Sequence, residues 1–226
     1  MLLQISQVLD QTSRRLMRDR LNVAQWVDGR ATAGHQGARV KHNRQLAEHD
    51  PLSMELGGQV LAALERNALF ISAVLPNRVY PPLFNRYEPG MSFGAHVDNA
   101  VRMMPGGAAK IRTDVSATLF LSEPEEYDGG ELLIEDSYGP QSVKLRAGDM
   151  VVYPADSLHR VVPVTRGARV ACFFWVQSLV RDDKQRALLF EMDRAVQRLQ
   201  VGGADASACL SLTNCYHNLL RQWSEC

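Results

Sequence analysis

The spacing of apolar side chains changes character along the chain. Over residues 3–26, Ile5, Val8, Leu9, Leu16 and Leu21 recur among arginines at helical intervals, which predicts a helix. The next stretch, DGRATAGHQGARVKHNRQL, is rich in glycine and polar residues and reads as a loop or irregular edge segment. Helical spacing resumes in DPLSMELGGQVLAALERN, where Asp50-Pro51 supplies a helix entry. From residue 75 short extended runs follow one another: RVYPPLFNRYE, SFGAHVD, DVSATLFLSE, GELLIED, QSVKLR, DMVVYP, HRVVPV and RVACFFWVQS. Proline, glycine, aspartate and asparagine separate them, and EYDGGE and RAGDM supply turn chemistry. Strands of this number and length predict an all-β sandwich or barrel, of which the jelly roll is the eight-strand form. Helical spacing returns after Asp182, with Leu188, Leu189, Met192, Val196 and Leu199 on one face. VGGADAS then breaks the pattern, and CLSLTNCYHNLLRQW forms a second helix. The predicted architecture is mainly β with flanking helices. A helical and irregular segment (1–74) packs on a double-stranded β-helix, or jelly-roll, domain (75–178), and a two-helix appendage (179–226) follows.

Composition narrows the function classes. The 226 residues, 46% hydrophobic and 22% charged, are an ordinary globular mix. Lys+Arg and Asp+Glu both number 25, so there is no basic excess of the kind a nucleic-acid binder shows. No apolar run is long enough for a membrane span. The opening MLLQISQVLDQTSRRLM lacks the basic-then-apolar layout of a signal peptide. Cys172, Cys209, Cys215 and Cys226 show no CxxC spacing. Free thiols in a reducing cytoplasm are the expectation.

The candidate chemistry begins at FGAHVDNAVRM. In an extended segment residues i and i+2 project to one face, so His96 and Asp98 would point the same way. Alone, that pair reads equally as a surface hydrogen bond. His159, in VVYPADSLHRVVPV, enters a strand late in the fold, and a jelly roll lays early and late strands side by side. His96, Asp98 and His159 would then supply two imidazoles and a carboxylate to one face of a metal ion. That is the ligand set of non-haem Fe(II) oxygenases, which keeps coordination positions open for a co-substrate and O₂. A structural zinc site, closed by four ligands, would leave no such room. Arg169 follows His159 past a turn at Thr165–Gly167, and a strand–turn–strand path would return it toward the metal. Its guanidinium fork suits a carboxylate. A molecule with a 2-oxo acid at one end and a carboxylate at the other, 2-oxoglutarate, would bridge the two.

RYEPGMSFGAHVDN followed by HRVVPVTRGAR resembles the prolyl/lysyl-hydroxylase-type branch of Fe(II)/2-oxoglutarate dioxygenases, with its Y-x-x-G…H-x-D…H…R/K pattern. More closely, the chain resembles the bacterial PKHD-type hydroxylases called Piu-type iron-uptake factors, nearly end to end. The resemblance implies a hydroxylase that turns 2-oxoglutarate and O₂ into succinate and CO₂ while oxidising an unidentified primary substrate. It implies Fe(II) on His96, Asp98 and His159, the distal carboxylate of 2-oxoglutarate on Arg169, and a further co-substrate hydrogen bond from Tyr87. L-ascorbate is an optional accessory. Arg169 is followed by Val170-Ala171, so the second hydroxyl of an R-x-S pattern is missing. A cupin-like metalloenzyme would leave Arg169 without a role, and a sensor would bind iron or 2-oxoglutarate without turnover.

Other residues carry weaker signals. Tyr87 reads equally as a packed aromatic. His35, His42 and His49 recur every seven residues, but Gly34, Gly37 and Pro51 argue against one helix, so solvated loop histidines are expected; His217 reads as a polar helix face. Met91, Met103 and Met104 flank the H-x-D run and suit either a pocket or loop packing. NAVRMMPGGAAKIRTD (99–114) reads as a mobile lid or as an ordinary loop. The apolar faces of the two tail helices suggest a homo-oligomer.

Overall fold

The computed structural model describes residues 1–32, 35–107, 109–136 and 139–225; the side chains of Ala31, His35 and Gln36 lie outside that description. The chain runs β1 (Leu3–Ile5), α1 (Gln11–Asn22), β2 (Val27–Asp28), α2 (His35–Val40), β3 (Lys41–His42), β4 (Arg44–Gln45), α3 (Pro51–Leu64) and α4 (Ala68–Val74). The strand-rich part follows as β5 (Pro76–Val79), β6 (Leu83–Tyr87), β7 (Ser92–His96), β8 (Val101–Met103), β9 (Lys110–Arg112) and β10 (Val115–Phe120). It continues with β11 (Tyr127–Gly129), β12 (Leu132–Asp136), β13 (Gly139–Val143), β14 (Met150–Pro154), β15 (His159–Val161), β16 (Val164–Gly167) and β17 (Arg169–Ser178). Helices α5 (Asp183–Val201) and α6 (Ala206–Trp223) close the fold.

Two antiparallel sheets form the jelly roll. The larger runs β1-β14-β10-β17-β6-β4-β2, with β5 also on β17; the smaller runs β13-β12-β15-β7-β3. Strand β17, RVACFFWVQS, explains how the larger sheet serves two layers. Successive side chains alternate faces, so Val170, Cys172, Phe174 and Val176 join the main apolar core with Met17, Leu21, Leu56, Val60 and Phe70 of the helices. Arg169, Phe173 and Trp175 face the other way and line the cavity between the sheets. A strand buried on both faces reads as a continuous apolar run, which is why this segment lacks visible alternation.

Several local expectations hold. Asp50 caps α3 by accepting the Leu52 N–H at 2.8 Å, with Pro51 at the first helical position. The C-terminal pair occupies 183–201 and 206–223, close to its predicted bounds. Among the described residues no helix is long and apolar enough to cross a membrane.

The structure corrects others. Residues 3–26 are not one helix. Leu3–Ile5 pairs with β14, Gln7 takes φ 54°, and Asp10 starts the helix by accepting the Ser13 N–H at 2.8 Å. Of the two readings of 28–46, a loop or an irregular edge segment, the second holds: β3 ends the smaller sheet, and β4 and β2 end the larger one. RVYPPLFNRYE is two strands split at Pro81-Pro82, because proline offers no N–H to a ladder. Of the two readings of 99–114, a lid or an ordinary loop, the second gives way to a two-stranded hairpin, β8–β9. The face of α5 is also rotated from the expected one: Arg186, Leu189, Phe190 and Val196 are buried, whereas Leu188 is 54% and Leu199 41% exposed. Leu189 packs with Leu75 and Val180, with Tyr216 and Trp223 of α6 beside them. This face of the tail is thus covered by its own chain.

That rotation is testable. Leu189→Ala should cost about 2–5 kcal/mol of unfolding free energy, the range for emptying a buried leucine site. Leu188→Ala should cost under about 1 kcal/mol. Urea midpoints of the two variants, compared at constant m, decide between the faces; equal losses would contradict the packing.

Candidate active site

The ladder between β7 and β15 places His96 directly opposite His159. Their ring centroids are 4.2 Å apart and tilted by 54°. Asp98 lies two residues beyond the end of β7, so the extended run stops short of it. Its side chain still reaches the same point: Oδ2 is 3.8 Å from His159 Nε2. Ligand atoms of His96, Asp98 and His159 all lie within 4.8 Å of one another, and among the described residues no other three potential metal ligands converge.

Hydrogen bonds prepare these groups for a metal. His96 Nδ1 lies 2.8 Å from the Gly94 carbonyl and His159 Nδ1 lies 3.0 Å from the Ser157 carbonyl. A carbonyl only accepts, so each Nδ1 carries a proton and Nε2 is the nitrogen left to face a metal. Burial, and next the neighbouring His159, depress His96 to about 4, so its ring is neutral at pH 7. Ser116 Oγ donates to Asp98 Oδ2 at 2.6 Å, fixing the carboxylate. Phe93 stacks on His96 with centroids 3.5 Å apart, and the edge of Tyr153 meets His159 at 5.2 Å. Two imidazoles, one carboxylate and open space beside them fit a divalent metal with free coordination positions.

The open space is a cavity of about 570 Å³ between the sheets. Arg169 lies on it from the larger sheet, opposite Tyr87 in the β17–β6 ladder. His159 belongs to the smaller sheet. The chain between them changes sheets through β16, which pairs with β11, so the expected strand–turn–strand return is instead a crossing to the facing wall. Arg169 is 1% exposed, and its Nε and Nη1 have no hydrogen-bond partner among the described residues. Its guanidinium sits 5.4 Å from the Tyr87 ring centre and 5.2 Å from that of Phe120. Gly130, at φ +69°, leaves room for it; a Cβ there would meet Arg169 Cδ at 3.1 Å. A guanidinium stays charged at any ordinary pH, and burying it unpaired is costly. The arrangement therefore suits an anion. Burial pushes Tyr87 up to about 12, so its hydroxyl keeps a proton to donate.

A family model described as 2OG-Fe(II) oxygenase superfamily matches residues 82–177, and one described as PKHD-type hydroxylase C-terminal domain matches 183–225. A PKHD-type hydroxylase of Burkholderia ambifaria is 69% identical over 227 residues, covering 100% of both chains. The chain belongs to the PKHD-type hydroxylases. Another member, from Bordetella pertussis, is 58% identical over 225 residues, again 100% of both chains. This PKHD-type hydroxylase is a 2-oxoglutarate-dependent enzyme of a family that uses Fe(II) and 2-oxoglutarate. Solved structures share its fold. A Pseudomonas putida prolyl-4-hydroxylase aligns with TM-score 0.53 and 19% identity, covering 78% of this chain and 92% of that one. HygX from Streptomyces hygroscopicus, solved with nickel, 2-oxoglutarate and hygromycin B, aligns with TM-score 0.52 and 16% identity over 76% and 81% of the chains.

Sequence reasoning missed several residues of the site. Ser116 and Thr118 alternate on β10 within the otherwise apolar VSATLF, and that alternation was a readable signal of a polar face. Asn85 was missed likewise, though it alternates on β6 with Tyr87, which had been named. Lys41 gave no signal, because its surroundings read as loop. It is 6% exposed, and its Nζ donates to Thr32 Oγ1 at 3.0 Å and Gln45 Oε1 at 3.1 Å. Burial, then the nearby Arg102, lower it to about 8. Of the other histidines, His42, His49 and His217 are exposed, and the His35 side chain lies outside the described residues. Met91 and Met104 pack against apolar clusters, while Met103 is half exposed.

Gly94 lets the end of α2 lie close against β7. A Cβ there would come within 2.8 Å of Val40 Cβ, an atom fixed to its backbone. Gly94→Ala should therefore destabilise the fold by about 1–3 kcal/mol, as overpacking does. Gly58, whose Cβ would meet nothing within 4 Å, is the control for the same substitution. Equal thermal midpoints for the two variants would show that α2 does not press on β7.

Proposed function

We propose that His96, Asp98 and His159 hold the Fe(II), that Arg169 binds the distal carboxylate of 2-oxoglutarate, and that a substrate in the same cavity is hydroxylated. One observation carries this reading: three converging metal donors and a buried guanidinium with unused N–H groups line a single cavity. When bound, the iron supplies activation of O₂ coupled to the conversion of 2-oxoglutarate to succinate and CO₂. The chain's own groups orient and exclude. Backbone carbonyls hold the two imidazoles, Ser116 steadies Asp98, and the guanidinium fork sets the position and angle of the co-substrate. Tyr87 donates a second hydrogen bond to that carboxylate. Leu132, Val161 and Phe93 supply apolar wall that keeps water from the reacting centre.

The substrate in this reading is a prolyl- or lysyl-type side chain or a siderophore-like small molecule, and the second goes with a role in iron uptake. A cytoplasmic location agrees with Cys172, Cys209 and Cys215 being free.

Two measurements on the same samples test the assignment: bound Fe(II), and succinate formed against 2-oxoglutarate concentration. His159→Ala should lose iron, while His49→Ala should retain it. Ser116→Ala should weaken iron about 10–100-fold, as loss of a hydrogen bond behind a ligand does. Arg169→Ala should keep iron and weaken 2-oxoglutarate by about 2–5 kcal/mol, with Arg169→Lys between it and the parent. Full iron affinity in His159→Ala, or an unchanged 2-oxoglutarate requirement in Arg169→Ala, would sink the corresponding assignment. Iron and 2-oxoglutarate binding without succinate would make the protein a sensor.

A further inference from the structure

We propose that the primary substrate carries a carboxylate, and that Lys41 and Arg102 bind it. This rests on the assignment of iron and 2-oxoglutarate above and concerns the part of the cavity those ligands leave. Lys41, on β3, and Arg102, on β8, both line the cavity that holds His96, Asp98 and His159. Each charge has aromatic company. Lys41 Nζ lies 5.3 Å from the Phe93 ring centre and 5.7 Å from that of Phe173; the Arg102 guanidinium lies 4.0 Å from Trp175 and 5.0 Å from Tyr80.

Neither has a carboxylate within ion-pair distance among the described residues, and Arg102 Nε is buried without a hydrogen-bond partner. The acidic groups that could serve are engaged elsewhere. Asp28 pairs with Arg30, and Glu48, held by the Tyr80 hydroxyl, borders the outer depression rather than the cavity. Asp98 attracts Lys41 in the bare protein but becomes a metal ligand in the loaded one.

Charge then decides what the cavity lacks. Fe(II), the Asp98 carboxylate, dianionic 2-oxoglutarate and the Arg169 guanidinium together carry no net charge. Lys41 and Arg102 remain as two cations that raise each other's energy in a partly dehydrated space. A substrate carboxylate relieves both. Arg102 also lines the shallower depression beside the cavity, along with Glu48 and Met104. It is therefore placed to meet a substrate at the entrance, with Lys41 beyond it.

The test uses the full chain loaded with Zn(II) and saturated with 2-oxoglutarate. Ligand-observed saturation-transfer NMR is run on matched pairs of probes: N-acetylproline and its amide, Nα-acetyllysine and its amide, hippurate and hippuramide. In at least one pair the acid should bind about tenfold or more tightly than the amide, the scale of a hydrogen bond to a charged group. Lys41→Met and Arg102→Gln should each erase most of that preference without weakening the amide or 2-oxoglutarate. Arg102→Gln lies on a surface hairpin and keeps the test open if the buried Lys41→Met variant does not fold. Equal binding of acid and amide in every pair overturns the proposal, as does an acid preference that survives both substitutions. Loss of 2-oxoglutarate in Lys41→Met or Arg102→Gln also overturns it, because the two cations would then serve the co-substrate. If 2-oxoglutarate fails to bind the parent protein, the underlying assignment fails separately. The acid-over-amide comparison on Arg169→Ala, which lacks the other carboxylate site, then decides the proposal.

Discussion

His96 and His159 are partners in the antiparallel ladder between β7 and β15, and the register of that ladder fixes the site. Side chains alternate along a strand, so a slip of one residue would send either imidazole to the opposite face. The smaller sheet guards the register from both sides. Beyond β15, Leu132 and Ile134 of β12 pair with Val161 and His159; beyond β7, Lys41 pairs with Phe93. The two carbonyls that orient the imidazoles belong to residues two positions before each histidine. Ring orientation is therefore set by the same backbone that sets the register.

The fold separates the work of holding together from the work of chemistry. The helix-facing side of the larger sheet is apolar and packs on α1, α3 and α4, so that layer supplies most of the burial. The opposite side can then be polar. It carries Arg169, Ser116, Thr118 and Asn85 toward the cavity, at a desolvation cost that a core-building face could not bear. Orphaned N–H groups on Arg169 fit such a face, because a ligand that satisfies them gains what the empty protein lacks.

Much of this was legible in the sequence, for identifiable reasons. The strands of the jelly roll are short and bounded by turn residues, and RVACFFWVQS was matched to the residue. The H-x-D pair, His159 and Arg169 could be singled out because their chemistry is rare and their spacing familiar. The path from His159 to Arg169 was misjudged because a change of sheet looks like a hairpin in one dimension. Lys41 was invisible for a related reason: two- and three-residue strands such as β3 exist through their partners and carry no periodicity of their own. The face of α5 was misread because Leu188 and Leu199 look apolar in sequence, yet the buried stripe includes Arg186, whose guanidinium donates to the Val180 and Arg181 carbonyls.

The two edges of the larger sheet are both made by the first part of the chain: β1 pairs with β14 at one side and β2 with β4 at the other. Three residues suffice to cover β14, whose sequence MVVYP is apolar and buried along most of its length. Very short edge strands are one way a sheet avoids recruiting a neighbour. Stripped of Leu3–Ile5, the same edge would present a row of unpaired amide groups beside β-branched side chains. That is the template from which intermolecular sheets and insoluble aggregates grow. The first few residues, which supply none of the site's side chains, thus shield the edge from which such growth would start.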